Sequence, residues 1–317
     1  MTRADRMFPA DRITLREVGL RDGLQLVRQF PDTRAKQEWL QREYDAGVRY
    51  FELGSFLPAQ RFPQFADVRD LIEAAGQLPG LRGAALVLNE RGAVDALQTP
   101  IDELVFVLSA TESHSQANTR RTRQAAVDLL RRIVQMRDDG GGAEGPLVTA
   151  GIAMAFGCSL EGSVDPDEVL RLVDACAEAG ADVIALADTV GYAVPRAVAT
   201  LVSQTRRRIG AIPVGLHLHD TRGMAIANAA VALDEGVRLL DGSLGGLGGC
   251  PFAPGATGNI VFEDLVFLCE NQGFNTGIDM EKLIQVREVV ARSMPDEPLS
   301  GALAKAGLPR ISSQVAV

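Results

Sequence analysis

The stretch LVTAGIAMAFGCSLEGSVDPDEVLRLVDACAEAGADVIALAD, residues 147–188, contains one complete unit of strand, helix and strand. Its two ends are short apolar runs without strict alternation, which is typical of strands buried on both faces of a parallel sheet. The middle has Asp165 at a helix start, acidic residues in the first turn and Gly180 at the end, which are the usual boundary signals of a helix. The stretch therefore predicts a βαβ unit.

The same rhythm of a short apolar run and a longer helical segment recurs along the chain. We predict strands at 12–18, 48–54, 82–88, 102–109, 147–156, 182–188, 213–219 and 238–244. Eight repeated units of about 30 residues favour an α/β fold of the closed (β/α)8 TIM-barrel class. The first strand–helix turns carry no GxGxxG pattern, which argues against an open dinucleotide-binding sheet.

The predicted organisation has two parts. Residues 1–275 are expected to form the TIM-barrel catalytic domain, and residues 276–317 a C-terminal helical extension packed on the barrel. Within the barrel we expect Thr33 to cap the helix after the first strand, because Thr is a common N-cap residue. The Gly-rich stretch 138–146 is expected to be a flexible surface loop.

Composition and charge narrow the class of protein. The 317 residues include 32 basic and 41 acidic side chains, for a net charge of −9, so nucleic acid is an unexpected partner. Residues 120–124 (RRTRQ) and 204–210 (QTRRRIG) are local basic patches; the first remains a candidate site for an anionic ligand, and we interpret the second as a solvated helix face. The four cysteines lack CxxC spacing, which indicates reduced thiols. We see no apolar signal segment or membrane span and expect a soluble, cytoplasmic protein.

Polar residues concentrate where the predicted strands end, which is where TIM barrels carry their active sites. They are Glu17, Arg21, Asp22 and Gln25 after strand 1, Glu52 on strand 2, Asp188 and Thr189 after strand 6, and Cys250 and Asn259 after strand 8. Several have plainer explanations: Arg21 with Asp22 as an ion pair, Glu52 as a salt-bridge partner, and Asp188, Thr189 and Asn259 as helix caps.

The sequence GLHLHD at 215–220 is the sharpest chemical signal. Residues i and i+2 of a strand point to the same face, so His217 and His219 are expected to enter the barrel lumen together. Two imidazoles and a carboxylate from strand 1 suit a divalent ion with open coordination positions. A hydrogen-bonded buried histidine pair is the alternative explanation.

Glycines and prolines surround Cys250 in GGLGGCPFAPGATGN, residues 245–259. This composition predicts a mobile loop with the thiol near its tip, and a lid that closes over substrate fits such a loop. The other cysteines lie in apolar segments and are predicted to be core residues.

Taken together, several motifs resemble those of the 3-hydroxy-3-methylglutaryl-CoA lyases. The motifs are EVGLRDGLQ, ELGSF followed by FPQFAD, SATESHSQAN, GLHLHDTRGMAIAN and GLGGCPFAPGATGN, and they occur in order from about residue 12 to residue 285. The HxHD stretch is shared with related metal-dependent barrel synthases, whereas the cysteine loop resembles the lyases specifically. The resemblance implies a TIM barrel that cleaves 3-hydroxy-3-methylglutaryl-CoA to acetyl-CoA and acetoacetate, a place in leucine degradation, and a homodimer.

The resemblance also implies roles for single residues. Asp22, His217 and His219 would bind Mg²⁺ or Mn²⁺, with Asn259 contributing nearby or directly. Arg21 would neutralise the thioester oxygen, Glu52 and Asp188 would position water and the substrate hydroxyl, and Cys250 would take part in proton transfer. Contacts with the CoA ester would come from Gln25, Arg28, Thr189 and Asn118.

Three departures from the lyase pattern leave the acyl group open. Leu20 and Leu26 replace residues that the lyases usually have as Pro and Asn, and Gly151 stands where the family often has Tyr. A lyase for citramalyl-CoA or for a longer branched glutaryl-CoA is therefore an alternative. A Claisen-type synthase and a catalytically silent CoA-binding barrel are further alternatives, and the full set of Asp22, both histidines and Cys250 argues against the last.

Overall fold

The computed structural model describes residues 2–9, 11–249 and 258–309. Eight strands within these residues form a closed parallel barrel in which each pairs with the next and the first pairs with the eighth. The strands are β1 (Thr14–Glu17), β2 (Tyr50–Ser55), β3 (Arg82–Val87), β4 (Glu103–Ser109), β5 (Leu147–Ala153), β6 (Val183–Asp188), β7 (Val214–Leu218) and β8 (Leu239–Gly242). The predicted TIM barrel is confirmed, with every strand at its predicted place.

Helices pack around the barrel, and most of them connect one strand to the next. They are α1 (Arg3–Met7), α2 (Thr33–Asp45), α3 (Val68–Gly76), α4 (Glu90–Leu97), α5 (Glu112–Thr119), α6 (Arg123–Gly141), α7 (Pro166–Glu178), α8 (Pro195–Ile209), α9 (Ala225–Asp234), α10 (Phe262–Asn271), α11 (Met280–Ser293) and α12 (Ala302–Ala306). No helix within the described residues combines the length and the apolarity that crossing a membrane requires.

Two local predictions were wrong. Asp32, and not Thr33, caps α2, because its carboxylate accepts a hydrogen bond from the N–H of Ala35 at 2.8 Å while Thr33 is already helical. The stretch 138–146 is no open loop: α6 continues through Gly141, and a 3-10 turn at Gly142–Glu144 follows it. The glycines of this stretch predicted a loop, but the long helix α6 continues into them.

The apolar core has two parts. The larger lies between the barrel and its helices and includes the buried thiols of Cys158, Cys176 and Cys269, as predicted for these cysteines. The smaller fills the N-terminal half of the lumen, where residues of the strands meet Ala4 of α1 and Phe8, which directly follows α1. This plug at one end leaves the C-terminal rim as the end at which polar side chains gather.

The segment after residue 276 contributes a helix to the larger core. Buried side chains of α11, among them Leu283, Val286 and Val290, belong to the same apolar cluster as the barrel helices, and α11 lies against α2. The division of the chain at residue 275 stays a prediction.

Candidate metal centre and active site

The chain leaves β1 through one turn of π-helix, Gly19–Gly23, which forms the first wall of the site. The carbonyl of Val18 accepts hydrogen bonds from the backbone N–H groups of Asp22 at 2.8 Å and Gly23 at 3.2 Å. Single π-helical turns often mark functional sites because they re-aim consecutive side chains. Here the turn brings Arg21 and Asp22 together at the barrel rim, where both are buried and in contact with each other.

His217 on β7 and His219 directly after it both face Asp22, as the i, i+2 spacing predicted. The Nε2 atoms of His217 and His219 are 3.1 Å apart. Asp22 Oδ2 lies 3.5 Å from Nε2 of His219 and 3.8 Å from Nε2 of His217. One ligand atom from each of the three residues lies within 4.8 Å of the others, so the three form a group that could hold a metal ion.

Asn259 completes this cluster from the far side of the cysteine loop. Its amide nitrogen donates to Asp22 Oδ2 at 2.8 Å and to the carbonyl of Leu247 at 2.9 Å. Its Oδ1 is buried and has no hydrogen-bond partner among the described residues. Asn259 is not the cap of α10, since that position belongs to Val261.

The donor set fits a divalent cation. Buried oxygens such as Asn259 Oδ1 nearly always have a partner, and a metal ion would supply one. The two Nε2 atoms are about as far apart as adjacent ligands of an octahedral ion whose bonds are about 2.1 Å long. Burial opposes ionisation of Asp22, but Arg21, His219 and His217 outweigh it and hold the pKa of Asp22 well below its usual value. A charged carboxylate, two imidazoles and an amide oxygen suit Mg²⁺, Mn²⁺ and similar ions.

Arg21 is held in place by a second acid. Its Nε lies 2.7 Å from Oε2 of Glu52 on β2, although the N–H does not point along a well-formed hydrogen bond. Its Nη1 also donates to the side chain of Gln25 at 3.2 Å. Burial raises the pKa of Glu52 in spite of Arg21 and Arg16 nearby. The guanidinium therefore stays fixed beside the metal group, and Glu52 is its supporting partner.

Two buried residues beneath His217 escaped the sequence analysis. The Nδ1 atom of His217 lies 3.1 Å from Oδ2 of Asp241 on β8, and Arg16 on β1 binds both oxygens of Asp241. Burial opposes ionisation of Asp241, but Arg16 and His217 lower its pKa to about 2. The alternation of side chains along β1 and β8 could have identified them, because it places Arg16 and Asp241 at positions that face the lumen.

Asp188 and Thr189 bind backbone at the end of β6. The two oxygens of Asp188 accept hydrogen bonds from the N–H groups of Tyr192 at 2.8 Å and Ala193 at 3.1 Å. Burial raises the pKa of Asp188 despite these two bonds. Thr189 accepts a hydrogen bond at its hydroxyl from the N–H of Met154, at 2.9 Å. Both side chains thus shape the rim loops after β5 and β6.

The remaining residues expected to bind substrate lie on the same rim. Gln25 is half-buried next to Arg21, whereas Arg28 is exposed and uses only its backbone N–H, which donates to Glu297 at 3.3 Å. Asn118 is exposed on α5, the helix that follows β4. The structure therefore brings Gln25 to Arg21 beside the metal group, and it leaves Arg28 and Asn118 exposed to solvent.

Cys250 lies outside the described residues, but Gly248 before it and Gly258 after it are described. Gly248 has a φ of +110°, and a Cβ there would lie 2.5 Å from Nδ2 of Asn259 and 3.0 Å from the carbonyl oxygen of Asp22. Gly258 has a φ of +102°, and a Cβ there would lie 2.1 Å from the carbonyl oxygen of Gly246. Only glycine fits at either position, and the backbone at Gly248 packs directly against Asp22 and Asn259 of the metal group.

Comparison with known proteins agrees with this geometry. A (R)-citramalyl-CoA lyase of Chloroflexus aurantiacus is 37% identical over 310 residues, which cover 94% of this chain and 95% of that protein. A hydroxymethylglutaryl-CoA lyase of Bacillus subtilis is 36% identical over 284 residues, 89% of this chain and 93% of the relative. The solved structure of an HMG-CoA lyase from Acinetobacter baumannii, in complex with coenzyme A and 3-methylmalate, superposes with a TM-score of 0.88 at 34% identity, covering 97% of this chain and 99% of that one. The family model described as HMGL-like matches residues 12–290, and the chain belongs to that family.

Proposed function

We propose that this protein is a divalent-metal-dependent carbon–carbon lyase that cleaves 3-hydroxy-3-methylglutaryl-CoA to acetyl-CoA and acetoacetate. The observation that carries the proposal is the group of Asp22, His217 and His219 at the barrel rim, with the fixed cation of Arg21 beside it. The similarity to hydroxymethylglutaryl-CoA lyases over nine-tenths of the chain supports the same reaction.

The reaction breaks the bond between C2 and C3 of the acyl chain. The 3-hydroxyl loses its proton and C3 becomes a ketone, while the bonding electron pair moves to C2 and is delocalised onto the thioester oxygen. C2 then takes up a proton, which yields acetyl-CoA and leaves acetoacetate. The protein must therefore acidify a hydroxyl, stabilise an enolate and supply a proton while excluding water.

The metal group serves the first of these needs. Asp22, His217, His219 and Asn259 would hold Mg²⁺ or Mn²⁺, and a bound divalent ion lowers the pKa of a hydroxyl that it coordinates. Asp22 contributes a full negative charge, since its pKa is held well below the usual value. Asn259 donates its N–H to Asp22, and its free Oδ1 is the fourth oxygen or nitrogen ligand that the chain offers.

Arg21 serves the second need. A preorganised cation stabilises a developing enolate without rearranging during the reaction, and removal of one such donor typically costs a factor of about 10² to 10³ in rate. Glu52, in this proposal, acts through Arg21 by fixing its guanidinium, and Asp188 acts by fixing the turn after β6. Both assignments replace the direct positioning of water and substrate that the family resemblance implied.

Cys250 serves the third need. It follows Gly249, which lies beside Leu26 at the mouth, and the backbone at Gly248 packs against Asp22 and Asn259. A thiol on a loop anchored in this way can close over the substrate, exclude water and deliver the proton to C2. Gln25, Thr189 and Asn118 would line the acyl path, and Arg28 would meet a CoA phosphate.

Citramalyl-CoA is a second candidate substrate, because the (R)-citramalyl-CoA lyase matches this chain over 310 residues. Its cleavage follows the same electron movement and yields acetyl-CoA and pyruvate. Gly151 adds room on β5: a Cβ there would touch only Val107 at 3.4 Å and a backbone oxygen of Phe106 at 3.8 Å. Leu26, 44% exposed at the mouth, would favour an apolar group over a polar one at that point.

The deciding experiment is an assay of the purified chain with each ester, after EDTA treatment and again after addition of Mg²⁺ or Mn²⁺. We expect metal-dependent release of acetyl-CoA, together with acetoacetate from one ester or pyruvate from the other. The Cys250→Ala variant should bind substrate but turn over slowly. Absence of acetyl-CoA release from both esters with either metal would contradict the proposal. The homodimer, the cytoplasmic location and the place in leucine degradation are parts of the proposal that this assay leaves to separate measurements.

A further inference from the structure

A buried network of charges crosses the lumen directly beneath the metal group. Arg16 on β1 donates from Nε and Nη2 to the two oxygens of Asp241, at 2.9 and 3.0 Å. Its Nη1 donates to Oε1 of Glu103 on β4, at 2.9 Å. All three side chains are at most 5% exposed, so the network lies away from solvent.

The network ends on one specific atom of a metal-group residue. Asp241 Oδ2, which Arg16 holds, lies 3.1 Å from Nδ1 of His217. A carboxylate on one ring nitrogen fixes the rotation of the imidazole and leaves the other nitrogen to face a metal. In this structure the other nitrogen is Nε2, and it points toward Nε2 of His219 and Oδ2 of Asp22.

The fork geometry explains why an arginine occupies this position. A carboxylate that accepts two parallel N–H bonds from one guanidinium cannot rotate about its own axis without breaking both. Glu103 prevents the guanidinium from turning, because it binds Nη1 from the opposite wall of the barrel. The side chain that sets the direction of His217 is therefore itself fixed from two sides.

We propose that Arg16 is a positioning residue of the metal centre: through its bidentate contact with Asp241 it fixes the ring of His217 so that Nε2 faces Asp22 and His219. The inference rests on the proposed function only for the assumption that these three residues bind a divalent ion. It adds three connected residues, Glu103 on β4, Arg16 on β1 and Asp241 on β8. Through them the positions of three strands fix the orientation of one metal-group residue, His217.

The test compares two substitutions that preserve charge. Arg16→Lys keeps the cation but replaces the fork by a point charge, so Asp241 can rotate. Arg137→Lys is the matched control, because Arg137 is equally buried and pairs with Asp138 and Asp182 away from the metal group. Asp241→Glu keeps the charge but displaces the carboxylate. It replaces Arg16→Lys in the test if Arg16→Lys shows no cooperative unfolding and therefore has not folded.

The first readout is Mn²⁺ affinity, measured by calorimetry without substrate. Loss of a partner behind a metal ligand typically weakens affinity about 10- to 100-fold. We expect a weakening in that range for Arg16→Lys or Asp241→Glu and less than about twofold for Arg137→Lys, even though all three lower thermal stability. An Arg16→Lys protein that folds and binds Mn²⁺ as tightly as the unsubstituted protein would overturn the inference.

The second readout needs no metal. The chain has three histidines, so long-range ¹H–¹⁵N spectra of the ¹⁵N-histidine-labelled, metal-free protein can be assigned. We expect the neutral His217 to carry its proton on Nδ1, facing Asp241, and to become a mixture of tautomers in Arg16→Lys. A His217 protonated on Nε2 in the unsubstituted protein would overturn the inference, whether or not the protein proves to be a lyase. A protein that binds Mn²⁺ but releases no acetyl-CoA would refute the lyase proposal and leave this inference standing.

Discussion

Two sets of buried acids close to β1 differ in the direction in which their pKa values are shifted. Inside the lumen, Asp22 and Asp241 contact arginines, and the pKa of each is lowered. Outside, Glu17 accepts hydrogen bonds from the backbone N–H groups of Gly19 and Leu244, and burial raises its pKa to about 8. Burial is complete in both places, so burial alone does not decide the charge of these carboxyls.

The difference comes from the cations. Within the described part of the chain, no basic side chain forms an ion pair with Glu17 or with its neighbour Glu43, whose pKa burial raises well above the usual value. Asp22 has Arg21, and Asp241 has Arg16. An opposite charge in contact with a desolvated carboxyl favours the ionised form and so lowers the pKa. The pKa values of Asp22 and Asp241 are thus lowered, and those of Glu17 and Glu43 are raised.

The largest expected effect comes from removing the charge of Asp22. Asp22→Asn should abolish measurable Mn²⁺ binding and reduce kcat by more than the roughly 10- to 100-fold that loss of an outer partner brings. Calorimetry and the acetyl-CoA assay measure the two effects. Asp165→Asn, at the exposed N-cap of α7, is the control and should keep both metal binding and turnover, because Asn caps a helix as well as Asp does. If Asp22→Asn retained the Mn²⁺ affinity of the unsubstituted protein, the claim that the charged carboxylate of Asp22 holds the ion would be wrong.

Removal of the cation beside Asp22 should separate chemistry from metal binding. Arg21→Met is expected to lower kcat by about 10²- to 10³-fold, because an enolate-stabilising charge is lost. Mn²⁺ affinity should not weaken, since Asp22 keeps its charge and loses a competing cation. Steady-state kinetics and metal titration on one preparation test this. A parallel fall in kcat and metal affinity would assign Arg21 a purely structural role.

The outer acids should respond to pH in the opposite way. For Glu43 the folded pKa lies above the unfolded one, so its contribution to stability is complete below about pH 4.5 and is lost as pH rises toward the folded pKa, with a slope of at most about 1.4 kcal/mol per pH unit. Glu43→Gln should therefore gain stability relative to the unsubstituted protein as pH increases from 5 to 9. Chemical denaturation at several pH values measures the gain.

Glu38 provides the control for this experiment on the same helix. It is half-buried, and its hydrogen bond with Arg292 lowers its pKa, so its contribution to stability is present above about pH 4.5 and is lost as pH falls. Glu38→Gln should give a small effect of the opposite sign. Identical pH profiles for the two variants would mean that Glu43 is not held neutral.

The smallest effect is expected at the solvent edge. Arg28 is exposed, so its guanidinium is available to a phosphate of the CoA ester. Arg28→Met should raise KM for the ester about fivefold, because an exposed ion pair contributes about 1 kcal/mol to binding. The value of kcat should not change. The increase should disappear in high salt, because exposed charges are screened. An effect on kcat would place Arg28 closer to the chemistry than its exposure allows.

The sequence predicted the barrel and the metal group because both depend on short-range periodicity. Each strand was visible as a buried apolar run, and the i, i+2 spacing of His217 and His219 was enough to aim both rings into the lumen. Parallel strands end on one rim, which brought Asp22 to the histidines although about 195 residues separate them.

The supporting contacts were out of reach because they depend on register across the barrel. Arg16 and Asp241 are 225 residues apart in the chain, and their pairing follows from the contact between β1 and β8. An arginine inside a strand gives no local sign of the carboxylate that it meets. Asp188 was similar: its backbone partners are set by the turn after β6, which residue types alone did not define.

The most direct test of the central claim is pulsed EPR of the purified protein titrated with Mn²⁺. The account predicts one tightly bound Mn²⁺ per chain, with nitrogen couplings from two imidazoles that fall to one in His219→Ala. Binding without imidazole coupling, or no stoichiometric binding at all, would contradict the claim that Asp22, His217 and His219 hold one divalent ion.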